Sequence, residues 1–284
     1  MNLKTVLRPT RKSVAVLGAA AGVAALTLTA TAPANAAKAA HHPQEKKPTV
    51  VLVHGAFADS SSWNGVVSRL KHAGYPVVAP ANPLRGLASD SAYVHGFLKS
   101  VQGPVVLVGH SYGGSVITEA AADSPNVKAL VYIAAFAPDK GETVTQISDR
   151  FPGGTLGETL NAVPFPLPGG GTGTGTDLYI KADKFRAQFA ADVPKSVAEQ
   201  MAATQRPVAA SVFDEKAAGA AWRTIPSWDL VTTQDKNITL AAQRFMAERA
   251  HAHTVEIKAS HAVSVSRPGA VTRIIEQAAR STVR

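Results

Sequence analysis

The 284-residue chain contains no cysteine. Thiol nucleophiles, zinc–thiolate sites and iron–sulfur clusters are thereby excluded, and the fold has to rely on its core rather than on disulfides. Acids are scarce as well: 20 Asp and Glu stand against 29 Lys and Arg, a formal charge of +9. Much of that surplus sits at the amino terminus. Lys4, Arg8, Arg11 and Lys12 have no acid beside them, and setting them aside leaves +5. Lys38, Lys46 and Lys47 against Glu45 hold two more, so the chain from Pro48 onward carries only +3. Its basic residues are scattered singly and aromatics make up 6 % of the chain. Nucleic-acid binding wants a clustered basic face with stacking rings, so nucleic acid is not an expected partner.

Long apolar runs are confined to the first 36 residues, which read as a secretory signal peptide. A basic start is followed by an apolar stretch from Val14 to Ala30, and Ala34-Asn35-Ala36 offers a small-x-small cleavage site. That stretch is rich in Ala, Gly and Thr, whereas a membrane span needs about 20 strongly apolar residues. The expectation is a secreted protein, released near Ala36 and without membrane attachment. Residues 37 to 48, AKAAHHPQEKKP, read as a disordered lead-in. Residues 49 to 284 suffice for one α/β domain around a single core.

Six apolar runs of strand length follow: TVVLV (49 to 53), YPVVAP (75 to 80), PVVLVG (104 to 109), VKALVYIAAF (127 to 136), SWDLVTT (227 to 233) and HTVEIKAS (253 to 260). Between them lie segments with apolar residues at helical spacing, such as WNGVVSRLKHAG and LAAQRFMAERA, and PGAVTRIIEQAAR closes the chain. Near-continuous apolar strands alternating with helices predict a mostly parallel sheet covered by helices on both faces. From about Asp139 to residue 225 the rhythm stops. The interval is dense in Gly and Pro, with a glycine tract at 169 to 175, and then carries the amphipathic stretches DKFRAQFAADV and SVAEQMAATQR. So long an interruption predicts an inserted helical cap over the sheet.

Gly109-His110-Ser111-Tyr112-Gly113 is a G-x-S-x-G sequence between a predicted strand and a predicted helix, the context of a nucleophile elbow. A turn that tight strains the serine, leaves no room for side chains two residues away, and aims the first amides of the helix at the reacting centre. A serine hydroxyl needs a base, and the base an orienting acid. Nine histidines compete. His41 and His42 fall in the lead-in; His72, His95, His251 and His253 fall in helices or before a strand; His110 has to point away from its neighbour. His54 comes too early and suits an oxyanion loop. His261, in the loop after the last strand, is the candidate base. The acid candidates are Asp235, just past the carboxyl end of SWDLVTT, and Asp229 within that strand; Asp235 is preferred, although it could instead cap the helix starting near Thr239. The amides of Ala56, after the first strand, and Tyr112 are the expected oxyanion donors. Phe57 and Phe136 are candidates for an apolar substrate entrance. No metal or organic cofactor is required.

These motifs resemble the α/β-hydrolase fold, and within it the branch holding plant methyl-ester esterases of the methyl salicylate type and hydroxynitrile lyases. The resemblance spans about residues 49 to 280 and is carried by VLVHGAF, VGHSYGG, YIAAFAPD, TTQDKNI and IKASHAVSVSRPGAV. It implies Ser111 as nucleophile, Asp235 as acid, His261 as base and Ala56 and Tyr112 as oxyanion amides, the residues reached independently above. Lyases of this branch carry threonine where this chain has Gly55 and lysine where it has Ala262. Both marks are missing, which points to an esterase acting on small-molecule esters, with Gly55 expected to leave room above Ser111 for an ester carbonyl. The same residues would also serve lactone or amide hydrolysis or perhydrolysis, and a ligand-binding protein on a hydrolase scaffold is the alternative of another class. Nothing in the glycine tract resembles the family.

Overall fold

The computed structural model describes residues 46–167 and 173–282. The segment read as a signal peptide and most of the lead-in lie outside the described residues, as does the glycine tract from 169 to 172. From the amino end, TVVLV forms β1 (Thr49–Val53), followed by α1 (Asn64–His72), the short β2 (Val77–Val78) and α2 (Leu87–Ser100). PVVLVGH supplies β3 (Val105–His110), then α3 (Tyr112–Ala120) and β4 (Val127–Ile133). The interval expected as a cap holds α4 (Val144–Arg150), β5 (Leu160–Pro166), β6 (Thr174–Ile180), α5 (Ala182–Phe189), α6 (Lys195–Thr204) and β7 (Val208–Ala209). The core resumes with β8 (Ser227–Thr232), α7 (Leu240–Arg249), β9 (His253–Ile257), the single turn α8 (Val263–Ser266) and α9 (Pro268–Ser281). Among the described residues no helix is long and apolar enough to cross a membrane.

Six strands make one sheet in the order β2-β1-β3-β4-β8-β9, every neighbouring pair parallel. Successive side chains point to opposite faces. Val51, Val53, Leu107, Leu130 and Tyr132 pack towards α2, α3 and α7, while Val50, Leu52, Val106, Val108 and Val131 pack towards α1 and α9. Because both faces are covered, the central strands have no polar side, which is why they read as unbroken apolar runs. Each fully buried Val or Leu contributes about 1.5–3 kcal/mol.

Two elements differ from expectation. β9 is an edge strand with Val255 42 % exposed, so its apolar residues cover one flank of the sheet and not its centre. The cap contains the expected helices and, in addition, a three-stranded antiparallel sheet ordered β5-β6-β7. Its strands LNAVPFP and TGTDLYI are mostly exposed or half-buried and carry Pro, Gly and Thr, so they lack the burial pattern that marks a core strand. Pro164 and Pro166 are tolerated because β5 is an edge, where a missing N–H leaves no neighbour unbonded.

Asp229 stands inside β8, beside Tyr132 of β4 and Thr254 of β9. It is buried, its Oδ1 has no hydrogen-bond partner among the described residues, and burial pushes its carboxyl well above the usual carboxylate range. A carboxyl whose folded pKa is raised contributes stability fully only below its unfolded value near 3.8. That contribution is lost, at about 1.4 kcal/mol per pH unit, as pH rises towards the folded value. Asp229→Asn removes this loss, so its melting temperature relative to wild type should climb steadily in thermal scans from pH 4 to pH 7. A difference independent of pH would show that folding leaves this carboxyl unperturbed.

Candidate active site

β3 ends at His110 and α3 begins at Tyr112, so Ser111 makes the whole turn, at φ 53° and ψ −126°. A non-glycine residue in that left-handed region costs about 1–3 kcal/mol and persists only when its surroundings enforce it. Here they do: the Ser111 amide donates to the Ile133 carbonyl at 3.3 Å, and its own carbonyl accepts from Gly114 at 2.9 Å and Phe136 at 3.1 Å. The flanking glycines allow the approach. A Cβ on Gly109 would lie 2.5 Å from the Gly113 carbonyl oxygen, and one on Gly113 would lie 2.6 Å from that of Val53.

The loop after β9 delivers His261 to this turn. Its Nε2 is 2.8 Å from Ser111 Oγ and its Nδ1 is 2.7 Å from Asp235 Oδ2, with both side chains buried. Asp235 Oδ1 accepts from the amides of Asn237 at 2.8 Å and Ile238 at 3.1 Å, and Oδ2 accepts from Thr232 Oγ1 and Gln243 Nε2, both at 3.1 Å. A carboxylate held as an acceptor calls for the imidazole proton on Nδ1, leaving Nε2 to accept from the serine hydroxyl. The three residues singled out from sequence are thus brought together. Asp229 is not among them, since it stays inside β8. Nor does Asp235 cap the next helix: Thr239 does so, its Oγ1 accepting from the Ala242 amide at 3.3 Å.

Ala56 and Tyr112 both border the cavity at Ser111. The Tyr112 amide, first in α3, has no acceptor within its own helix, and neither amide donates to another backbone group among the described residues. The loop carrying Ala56 is fixed through His54, whose Nδ1–H donates to the Gly55 carbonyl at 2.9 Å while Nε2 accepts from the Asn82 amide at 2.9 Å. Burial lowers His54 to about 4 and His110 to about 3, and each stays neutral. His110 turns away from Ser111 and donates from Nε2 to the His261 carbonyl at 2.9 Å.

One expectation is corrected here. Gly55 does not leave open space above Ser111: a Cβ there would lie 2.7 Å from both Ser111 Cβ and the His110 carbonyl oxygen. The missing side chain lets the loop carrying Ala56 press against the elbow.

Beside Ser111 opens a cavity of about 490 Å³. Phe57 and Phe136 line it as expected, and the cap adds Val144, Phe151, Leu160 and Phe213. These cap residues were missed in the sequence because no periodicity marks them; only Phe151, beside Pro152-Gly153-Gly154, carried a signal, as an aromatic in a Gly- and Pro-rich stretch. Asp149 is the single formally charged residue in the lining. The wall therefore suits uncharged apolar groups.

The family model described as the alpha/beta hydrolase family matches residues 50–274. The chain belongs to that family. An alpha/beta hydrolase of Aspergillus novofumigatus is 28 % identical over 260 residues, 84 % of this chain and 98 % of its own length. A carbendazim hydrolyzing esterase of Nocardioides is 34 % identical over 107 residues, 33 % of this chain and 44 % of its own. The crystal structure of polyneuridine aldehyde esterase matches with a TM-score of 0.71 at 19 % identity, over 81 % of this chain and 98 % of that one; at that identity the likeness is one of fold.

The two acids differ in what their loss should do. Asp235→Asn keeps the shape but presents the wrong histidine tautomer, which in serine proteases costs about 10⁴ in turnover. Hydrolysis of p-nitrophenyl butyrate should fall by that order, whereas Asp229→Asn should stay within about threefold of wild type. The reverse order would make Asp229 the acid.

Proposed function

We propose that this hydrolase is a serine esterase that cleaves small or medium uncharged carboxylic esters through an acyl-enzyme on Ser111. The observation that carries the reading is the continuous chain Ser111–His261–Asp235, with Ser111 in the wall of a largely apolar cavity. His261 Nε2 takes the hydroxyl proton as Ser111 Oγ attacks the ester carbonyl. The resulting oxyanion is held by the amides of Ala56 and Tyr112, donors each worth about 2.7–4 kcal/mol. His261 returns the proton to the departing alcohol, and water activated by the same nitrogen then hydrolyses the acyl-enzyme. Relatives bearing esterase and hydrolase names support ester hydrolysis.

The esterase side of the branch is favoured over the lyase side by two positions. Ala262 is buried and its amide donates to the Phe189 carbonyl at 2.9 Å, so it supplies no fixed charge for a cyanide leaving group. Gly55 is pressed against the elbow, where a threonine would displace Ser111. Purified protein should hydrolyse p-nitrophenyl acetate and butyrate, and Ser111→Ala should lower turnover by several orders of magnitude with little change in melting temperature. It should release no cyanide from mandelonitrile above the buffer rate. Ester turnover retained by Ser111→Ala would end the nucleophile assignment, and cyanide release abolished by Ser111→Ala would overturn the esterase choice.

The export reading belongs to the same proposal. The basic start, apolar stretch and Ala34-Asn35-Ala36 support secretion with cleavage after Ala36. Amino-terminal sequencing of protein recovered from the medium of a secreting host should begin at Ala37; recovery only within cells, with Met1 intact, would refute it.

A further inference from the structure

The cap does more at the active site than wall the cavity. The acid and base lie on loops that leave β8 and the exposed edge strand β9, and the sheet gives the base loop no neighbour on its outer side. The carboxyl end of α5 and the turn after it supply what is missing. Gln188, only 5 % exposed, reaches the acid loop: its Nε2 donates to the Lys236 carbonyl at 3.0 Å and to Asn237 Oδ1 at 2.8 Å. Its Oε1 accepts from Thr155 Oγ1 at 2.9 Å, which sets the amide's orientation, and the Thr155 amide bonds the same Lys236 carbonyl at 3.0 Å. Asn237, so held, is the residue whose amide donates to Asp235 Oδ1.

The next residues of the cap reach the base loop. Residues 260, 261 and 262 are each tied to a neighbouring element: Asp192 accepts from Ser260 Oγ, His110 donates to the His261 carbonyl, and the Phe189 carbonyl accepts from the Ala262 amide. Two of these three ties come from the cap. The Phe189 ring also stands edge-on to the His261 imidazole, 4.9 Å between centroids at 75°. Asp192 is itself steadied by Arg267 at 3.6 Å. Three residues of one cap segment, Gln188, Phe189 and Asp192, therefore hold the loops of both the acid and the base.

We propose that Gln188 and Asp192 are positioning residues, and that the hydrogen bond between Asp235 and His261 is assembled by the cap as well as by the sheet. This rests on the serine-esterase reading for its kinetic consequence but not for its structural one. Neither side chain touches the reacting atoms, so their loss acts on the geometry of proton transfer and not on the cavity wall.

The test uses the mature protein and the variants Gln188→Ala, Asp192→Ala and Asp192→Asn, the last of which keeps an acceptor for Ser260. With p-nitrophenyl butyrate each Ala variant should lose about tenfold in kcat, the scale of one lost buried hydrogen bond, with KM within about twofold; Asp192→Asn should recover most of kcat. Proton NMR reads the pairing without turnover. The low-field signal of His261 Nδ1–H, identified by its loss in His261→Ala, should be sharp in wild type and Asp192→Asn and broadened in both Ala variants. If wild type cleaves no ester, the functional reading fails while the NMR arm still decides the clamp. If Asp192→Ala melts below the assay temperature, Ser260→Ala removes the same tie from the other side, and if Gln188→Ala does, Thr155→Val removes the bond that orients Gln188. Ala variants that keep either the sharp signal or wild-type kcat within about twofold overturn the proposal.

Discussion

A single residue forced into a left-handed backbone between a parallel strand and a helix is the constraint on which the rest of this molecule depends. Ser111 can hold φ 53° only while β3, β4 and α3 are packed closely enough to bond its amide and carbonyl. That closeness is available only where Gly109, Gly113 and Gly55 present no side chain. The valine-rich sheet supplies the rigidity, and its burial on both faces offsets the local strain. The proposed oxyanion role of the Tyr112 amide follows from the same geometry, since Tyr112 is the first residue of the helix that the turn launches.

Polar groups around this point are arranged so that one histidine is left facing the Ser111 hydroxyl. His54 and His110 are closer in sequence to Ala56 and Ser111 than His261 is, yet burial keeps both neutral; both nitrogens of His54 and Nε2 of His110 are committed to the backbone. His261 alone bridges a hydroxyl and a carboxylate. Asp229 and Asp235, six residues apart, show the same partition: one is sealed in the sheet without a partner on Oδ1, and the other accepts from two amides, a hydroxyl, a carboxamide and an imidazole.

The legibility of the sequence tracked burial. TVVLV, PVVLVGH and VKALVYI could be read as central strands because solvent reaches neither of their faces, and GHSYG could be read as an elbow because its glycines answer to contacts within a few residues. β5 and β6 could not: LNAVPFP and TGTDLYI are exposed, and their pairing depends on register across the insertion. The cavity wall was equally hidden, because Phe151 and Phe213 come together only through the packing of the cap. Gly55 illustrates another limit. Its importance showed in the sequence but its reason did not, since the atoms it yields to belong to His110 and Ser111, more than fifty positions away.

The placement of the three-stranded cap sheet divides the insertion unequally. The β5–β6 ribbon is largely exposed and shares no hydrogen bond with the loops of Asp235 or His261 among the described residues, whereas α5 meets both through its carboxyl end. Leu160, the first residue of the ribbon, is its one contribution to the cavity lining among the described residues, so changes in the length or composition of the rest of the ribbon would spare both the wall and the loops beneath it.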